Sequence, residues 1–176
     1  MDRSRSLALL AVVIPAFAIS MPARSALVQK VNYTNPAMAC QASLPGDTSV
    51  RPKATGVRNE STSKSVYVIC GYSKPTTDGS TANIRKLDIG FASLDGKDHY
   101  FDCTAVTGLG SAYATYTTKH VAAFGAGDYS PWVWTPSDWG SEDDYIPYSF
   151  QPSITCLLPP QTSIVYTLDW YDVEDL

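Results

Sequence analysis

Short segments in which apolar and polar residues alternate recur along the chain and predict β-strands. The segment KSVYVICGY, residues 64–72, alternates with the period of two that a half-buried strand requires. The segment IRKLDIGFASL, residues 84–94, alternates in the same way and places Leu87, Ile89 and Phe91 on its inward face. Both segments therefore predict strands with one face in a core.

Similar segments rich in Val, Ile, Tyr, Thr and Phe predict the remaining strands. They lie at residues 99–106, 112–124, 148–158 and 163–173, with weaker ones near 28–33, 38–42 and 55–59. Beyond residues 1–25 no segment shows a helical period, and the 12 prolines of the full sequence argue against helices. Eight or nine short strands predict an all-β fold, an antiparallel and jelly-roll-like β-sandwich, with a closed barrel as the alternative.

Two turns predict how these strands connect. The sequence LDGKD, residues 94–98, contains Asp95-Gly96, which favours a type I′ turn and predicts a hairpin joining segments 84–94 and 99–106. Pro159-Pro160 ends a strand and predicts a crossing between the two sheets.

The N-terminus has the features of an export signal. Arg3 and Arg5 precede an apolar run at residues 7–19, and small residues then favour cleavage after Ser25. The apolar run is shorter than the roughly 20 residues that a membrane-spanning helix needs. We therefore expect a signal peptide at residues 1–25, a single domain at 26–176 with no membrane span, and a secreted or periplasmic location.

The charge of the exported chain argues against nucleic acid as a partner. Removal of residues 1–25 leaves 10 basic and 16 acidic residues, a formal charge of −6. The basic residues are scattered, whereas binding to a phosphate backbone requires clustered Lys and Arg.

The four cysteines of the chain predict two disulfides. An even number of cysteines in an exported domain is typical of disulfide pairing, and four cysteines allow three pairings. We prefer Cys40–Cys70 and Cys103–Cys156, because each pair joins elements close in the series and each cysteine lies on or beside an apolar face. We expect these bridges to hold the two layers together. No two cysteines have the spacing of a zinc clip, and we expect no cofactor.

The contexts of the cysteines resemble those of a group of small exported bacterial proteins of unknown function. The segments ACQASLP, VYVICGY, FDCTAVTG and SITCLLPPQTSI carry the resemblance, which covers roughly residues 38–171. The resemblance implies a β-sandwich and export, and it implies no activity.

Motifs for catalysis are absent from the sequence. The two histidines, His99 and His120, lie in predicted strands, with Asp98 and Asp102 near His99. No Gly-x-Ser-x-Gly elbow is present to expose a nucleophilic serine, and no His-Glu-x-x-His zinc motif is present. We therefore expect a domain that is not an enzyme.

The segment SPWVWTPSDWGSEDDYIPYSF, residues 130–150, combines aromatic rings with acids and is the candidate binding site. Sugars present C–H faces that stack on aromatic rings and hydroxyls that bond to carboxylates. The residues assigned to such a site are Trp134, Trp139 and Tyr145 for stacking and Asp138 for a hydroxyl. Oxygen ligands for calcium would come from Asp138, Glu142, Asp143 and Asp144.

The same segment also has a structural interpretation, in which Trp132 and Trp134 face the core from a short strand and residues 138–144 form a solvated loop. Our first functional hypothesis is an exported, non-catalytic structural or interaction domain whose partner is a glycan or another exported protein. The second is a carbohydrate-binding module that uses residues 130–150. The third is a small glycoside-type hydrolase that uses the acids of this segment.

Overall fold

The structure, a computed structural model, describes residues 27–73, 76–77, 80–108, 112–125, 127, 129–148 and 151–174. The expected signal peptide, residues 1–25, lies outside this range. The described residues form thirteen strands and two short helices. The strands are β1 (Leu27–Thr34), β2 (Cys40–Ala42), β3 (Val50–Lys53), β4 (Gly56–Asn59), β5 (Val66–Gly71), β6 (Thr76–Thr77), β7 (Ser80–Thr81), β8 (Asn83–Ser93), β9 (His99–Thr107), β10 (Thr115–Ala123), β11 (Ser130–Trp134), β12 (Ser153–Leu158) and β13 (Thr162–Glu174). The helices are α1 (Pro36–Ala39) and a 3₁₀ turn, Pro136–Trp139.

The strands form two antiparallel sheets that pack as a sandwich, which confirms the predicted fold class. Over the described residues, the six-stranded sheet has the order β11-β8-β13-β4-β3, and β1 pairs with the C-terminal part of β13. The five-stranded sheet has the order β10-β9-β12-β5-β2, while β6 and β7 pair only with each other. The core between the sheets buries the inward residues Leu87, Ile89 and Phe91 predicted from alternation.

The turn at residues 94–98 does not form the predicted hairpin. Strand β8 belongs to the six-stranded sheet and β9 to the five-stranded sheet, so this turn is a corner between layers. Asp95 accepts a hydrogen bond from the backbone amide of Lys97, and Gly96 has a φ of 75°. A type I′ turn needs a positive φ at both Asp95 and Gly96, and only Gly96 has one, so the predicted turn type was wrong as well as the hairpin. Pro159 and Pro160 do lie on a crossing between the sheets, from β12 to β13.

Three strands begin later than predicted, and for two of them a local hydrogen bond or dihedral angle gives the reason. Asn35 caps α1 by accepting from the amide of Ala37, so strand β2 starts later than the predicted residue 38. Tyr148 and Gln151 have positive φ angles, and β12 therefore begins only at Ser153. Strand β10 begins at Thr115 rather than at residue 112.

Both disulfides are present, with the pairing that sequence analysis preferred, Cys40–Cys70 and Cys103–Cys156. Each joins directly opposed residues of neighbouring strands, β2 with β5 and β9 with β12. Both therefore lie within the five-stranded sheet, and the expectation that they link the two layers was wrong. Disulfides are typical of oxidising compartments, which fits export. None of the helices in the described part of the chain has the length and apolar character that a membrane crossing needs.

Candidate functional site

Trp134 cannot serve as a stacking platform, because the sandwich buries it completely. The exposed fraction of Trp134 is 0%, and it belongs to the core with Leu87, which it faces across the β11–β8 pair. The amine of Lys119 lies 5.5 Å from the centre of the indole ring and covers it at the edge of the sandwich. The assignment of Trp134 to ligand stacking was therefore wrong.

Asp138 is committed to holding the 3₁₀ turn in place. Its Oδ2 accepts a hydrogen bond of 2.7 Å from the backbone amide of Thr135, which completes a capping box. The same oxygen lies 2.8 Å from the amine of Lys119, which also donates to the backbone carbonyl of Val133. Because Lys119 lies on β10 and Val133 on β11, these contacts tie the edges of the two sheets together.

The other two tryptophans of the segment also have structural contacts. Trp132 donates from Nε1 to the carbonyl of Ala122 on β10, at 3.0 Å. Trp139 is half-buried and packs against the core. The structural interpretation is confirmed for Trp132 and Trp134, which face the core from the short strand β11, but Trp139 packs on the core instead of lying in a solvated loop. We call residues 130–139, which run along this edge of the sandwich, the strap.

Tyr145 is held by a buried acid. Its hydroxyl donates to Oδ2 of Asp172 at 2.9 Å, and Nε of Arg85 reaches the same oxygen at 2.6 Å. The guanidinium carbon of Arg85 lies 5.4 Å from the centre of the Tyr145 ring. The hydrogen bond to Asp172 raises the pKa of the Tyr145 hydroxyl. Neither the hydroxyl nor the ring face over Arg85 is left for a sugar.

The acids of the segment do not come together as a metal site. Glu142, Asp143 and Asp144 are exposed and line an open groove of about 430 Å³ with Arg85 and Lys86. Over the described residues, no three His, Cys, Asp or Glu side chains lie close enough to hold a metal ion. A general acid for glycoside hydrolysis is normally kept protonated by an apolar pocket, which these exposed acids lack.

Each histidine lies within hydrogen-bond distance of a carboxylate. Nε2 of His99 lies 2.8 Å from Oδ1 of Asp95 in the corner turn, and Nδ1 of His120 lies 2.8 Å from Asp102 across the β9–β10 pair. The hydrogen bond from His99 and the amide of Lys97 lower the pKa of Asp95 to about 2. Both histidines thus contact acids on their own or a neighbouring strand or turn.

A different candidate site lies on the outer face of the six-stranded sheet, where a β-bulge inverts β13. Ile164 faces Phe91 in the core, but the register then shifts by one residue at Val165. Beyond the bulge, Thr167 lies opposite the core residue Ile89 and so points inward. The apolar residues of the other face, Tyr166, Leu168 and Trp170, therefore point outward. Bulges are over-represented beside functional sites, where they redirect side chains.

The inversion buries polar groups between the sheets. Asp169 lies opposite Leu87 and is 1% exposed. Asn32 donates to Oδ1 of Asp169 at 3.1 Å, and Oδ2 has no partner among the described residues. Burial raises the pKa of Asp169 to about 6. The strand thus buries a carboxylate while it directs Tyr166 and Trp170 outward.

Tyr166 lies flat on the outer face, and Gly90 provides the space for it. Gly90 is directly opposite Tyr166, and a Cβ at this position would lie 2.2 Å from a carbon of the ring. The hydroxyl end of the ring lies beside Asp88; burial and this carboxylate raise the pKa of Tyr166 to about 12. A ring that lies on the backbone of a neighbouring strand presents its other side away from the sheet. Gly90 and Asp88 point outward, because they alternate with the inward residues Leu87, Ile89 and Phe91. Both are nevertheless buried.

The outward side of Tyr166 borders an open groove of about 550 Å³. Tyr129, which is 68% exposed, provides a second ring, and Arg58 provides a charged donor. Nη2 of Arg58 donates to the hydroxyl of Thr55 at 3.0 Å, which orients the guanidinium. The other lining residues are Ala92, Leu94, Ser163 and Val165. We call this the Tyr166 groove.

Further aromatic side chains extend this face along β13. The amine of Lys86 lies 4.0 Å from the centre of the Trp170 ring. Tyr33 on β1, paired with Leu168, is largely exposed. With a rise of about 3.3 Å per residue, Tyr166 and Trp170 lie roughly 13 Å apart along the strand.

Sequence reasoning missed this site because the bulge has no local signature. Without the bulge, strict alternation from Ile164 would place Tyr166 and Trp170 in the core, and the polar residues between them outside. The spacing of the two aromatic residues by four positions showed only that they share a face. The register with β8 was needed to decide which face that is.

No protein-family model and no curated protein matches the sequence. Three solved structures are similar to the chain. The xylan-binding module CBM15 is 13% identical, with a TM-score of 0.48, over 85% of this chain and 100% of that one. A carbohydrate binding module from glycoside hydrolase family 9 (Cel9A) of Ruminococcus flavefaciens FD-1 is 11% identical, with a TM-score of 0.42, over 83% and 98%. The Podospora anserina GH26-CBM35 β-(1,4)-mannanase is 11% identical, with a TM-score of 0.31, over 87% and 29%. These likenesses concern the fold alone.

Proposed function

We propose that this protein is a non-catalytic domain that binds a glycan in the Tyr166 groove. The observation that carries the proposal is the bulge at Val165, which directs Tyr166 and Trp170 outward and buries Asp169 instead. Burial of a carboxylate lowers stability. Positions where the local sequence conflicts with the fold, as a buried Asp on a core face does, are expected at functional sites.

The chemistry of the groove supports a sugar as the ligand. Tyr166 presents a flat ring that is fixed against Gly90, so little side-chain entropy is lost when a sugar stacks on it. Tyr129 offers a second ring, and the hydroxyl of Thr55 and the guanidinium of Arg58 offer polar contacts to hydroxyls. A mostly apolar surface with a few oriented polar groups is typical of small-ligand sites.

The test is binding of the purified protein to a panel of soluble polysaccharides, measured by affinity electrophoresis and calorimetry. Tyr166→Ala should weaken binding roughly tenfold or more, as expected for a central aromatic contact. Tyr166→Phe keeps the ring and should bind as the wild type does. Tyr67→Ala removes an exposed ring from the five-stranded sheet and serves as the matched control.

Two outcomes would contradict the proposal. Wild-type protein that binds no polysaccharide of the panel would favour the alternative of an interaction domain with a protein partner. Equal losses in Tyr166→Ala and Tyr67→Ala would show that the groove is not the site.

A further inference from the structure

Arg58, which lines the Tyr166 groove, belongs to a group of cations on strands β3 and β4. Arg51 and Arg58 are directly opposite each other in this antiparallel pair, so their side chains leave the same face. Lys53 lies two residues beyond Arg51. One carboxylate, that of Glu60, serves two of these cations, with distances of 3.7 Å to Arg51 and 3.0 Å to Lys53. Positive charge is therefore in excess here, in a protein with a formal net charge of −4.

Arg58, the cation that lines the groove, forms no close ion pair with an acid of the described residues, and Glu60 acts on it only at longer range. No carboxylate of the described residues lies within 4.0 Å of its guanidinium nitrogens, and its hydrogen bond goes to the neutral hydroxyl of Thr55. Like charges placed directly opposite each other destabilise an antiparallel pair. Glu60 offsets part of the repulsion between Arg51 and Arg58, and an anion in the groove would offset more of it at Arg58.

We propose that the glycan bound in the Tyr166 groove is acidic, with the carboxylate of a uronic acid residue held by Arg58. This inference rests on the proposed function and names the class of its ligand. The planar guanidinium matches a carboxylate in a two-pronged hydrogen bond. The sugar ring that carries the carboxylate stacks on Tyr166 or Tyr129. Arg51, on the neighbouring strand, adds electrostatic attraction for the carboxylate.

The experiment compares each acidic polysaccharide with its own neutral form. Calorimetry measures the binding of wild-type protein to glucuronoxylan and to polygalacturonate, and to the same polymers after chemical reduction of their carboxylates. At least one acidic polymer should bind about tenfold tighter than its reduced form, as expected for a hydrogen bond to a charged group. High salt should reduce the difference in affinity between the acidic and the reduced polymer, because the contact between Arg58 and the carboxylate is partly exposed to solvent.

Four variants show which residue causes the preference for the acidic polymer. Arg58→Gln should remove the preference for the acidic polymer, and Arg58→Lys should retain part of it because the charge remains without the fork. Lys30→Gln makes the same change of charge on β1, opposite Tyr171, and should bind within about twofold of wild type. Tyr166→Ala should weaken binding to the acidic and the reduced polymer alike.

The outcomes separate the two proposals. Equal affinity for the acidic and reduced polymers, with both lost in Tyr166→Ala, would overturn the acidic ligand and leave glycan binding intact. An acidic preference that survives Arg58→Gln would also overturn it. Tighter binding of dextran sulfate than of either uronate polymer would show a general anion site instead of a carboxylate fork. No binding of any polymer to the wild type would overturn both proposals.

Discussion

At the scale of single residues, Gly90 determines the geometry of the outer face. Its missing side chain allows the ring of Tyr166 to rest on the neighbouring strand. Aromatic rings that cover glycines are a known means of supporting sheets. The same contact therefore supports β8 and fixes the ring proposed to bind sugar.

Gly90→Ala should lower the free energy of unfolding by about 1–3 kcal/mol, because the new Cβ would displace the Tyr166 ring. In a Tyr166→Ala background the same change should have little effect, since the clash is gone. Urea denaturation of the two single variants and the double variant measures this coupling. Additive losses would show that the ring does not rest on Gly90.

Asp169 should make stability depend on pH. Its pKa rises on folding from an ordinary value of 3.8 to about 6, so folding favours the protonated carboxyl. The cost of burying the charged form is absent below about pH 4, grows as the pH rises towards 6, and is full above that. Asp169→Asn should therefore unfold less readily than wild type at pH 7.5, by about 2 kcal/mol, and match it near pH 4.

Urea denaturation of wild type and Asp169→Asn at the two pH values tests this expectation. The difference between the two proteins cancels the titration of the other carboxylates, including Asp95, whose pKa shifts in the opposite direction. A difference that is the same at both pH values would mean that Asp169 is not buried in its charged form.

At the scale of elements, the alternation of apolar and polar residues predicted where the strands lie better than it predicted which strands pair. The period of two placed Leu87, Ile89 and Phe91 in the core without knowledge of the fold. It did not reveal that the turn after β8 leads to the other sheet, because Asp-Gly occurs in turns of more than one type and does not specify which strands a turn connects. It also did not reveal the bulge at Val165, since the register of β13 is set by β8, more than seventy residues earlier in the chain.

The strap formed by residues 130–139 is a structural element, and removal of one of its rings should show this. Trp139→Ala should lower the free energy of unfolding by about 1–3 kcal/mol, because the half-buried ring packs on the core. Binding to glycans should be unchanged. Thermal unfolding and affinity electrophoresis of the same sample distinguish the two effects. If Trp139→Ala lost glycan binding but kept the stability of the wild type, the binding site would lie in this segment, with Trp139 stacking on the ligand.

At the scale of the whole molecule, the two disulfides cross-link one sheet at two places. The bridges span 30 and 53 residues of sequence. In the chain-entropy model, each should contribute about 3–4 kcal/mol by restricting the unfolded chain. Removal of either bridge by paired Cys→Ala substitutions should lower the free energy of unfolding by about that amount. Chemical denaturation measures it, and a loss below about 1 kcal/mol would contradict the model.

Because both bridges join strands of the five-stranded sheet, covalent reinforcement is confined to one side of the sandwich. The opposite layer, which carries β13, keeps its shape through hydrogen bonds and packing alone. Partial opening of the native protein should begin in that layer, and its amides should exchange with solvent first. A polysaccharide bound across the six-stranded sheet would slow this opening. It would thereby stabilise the sheet that has no disulfide, as the two disulfides stabilise the five-stranded sheet.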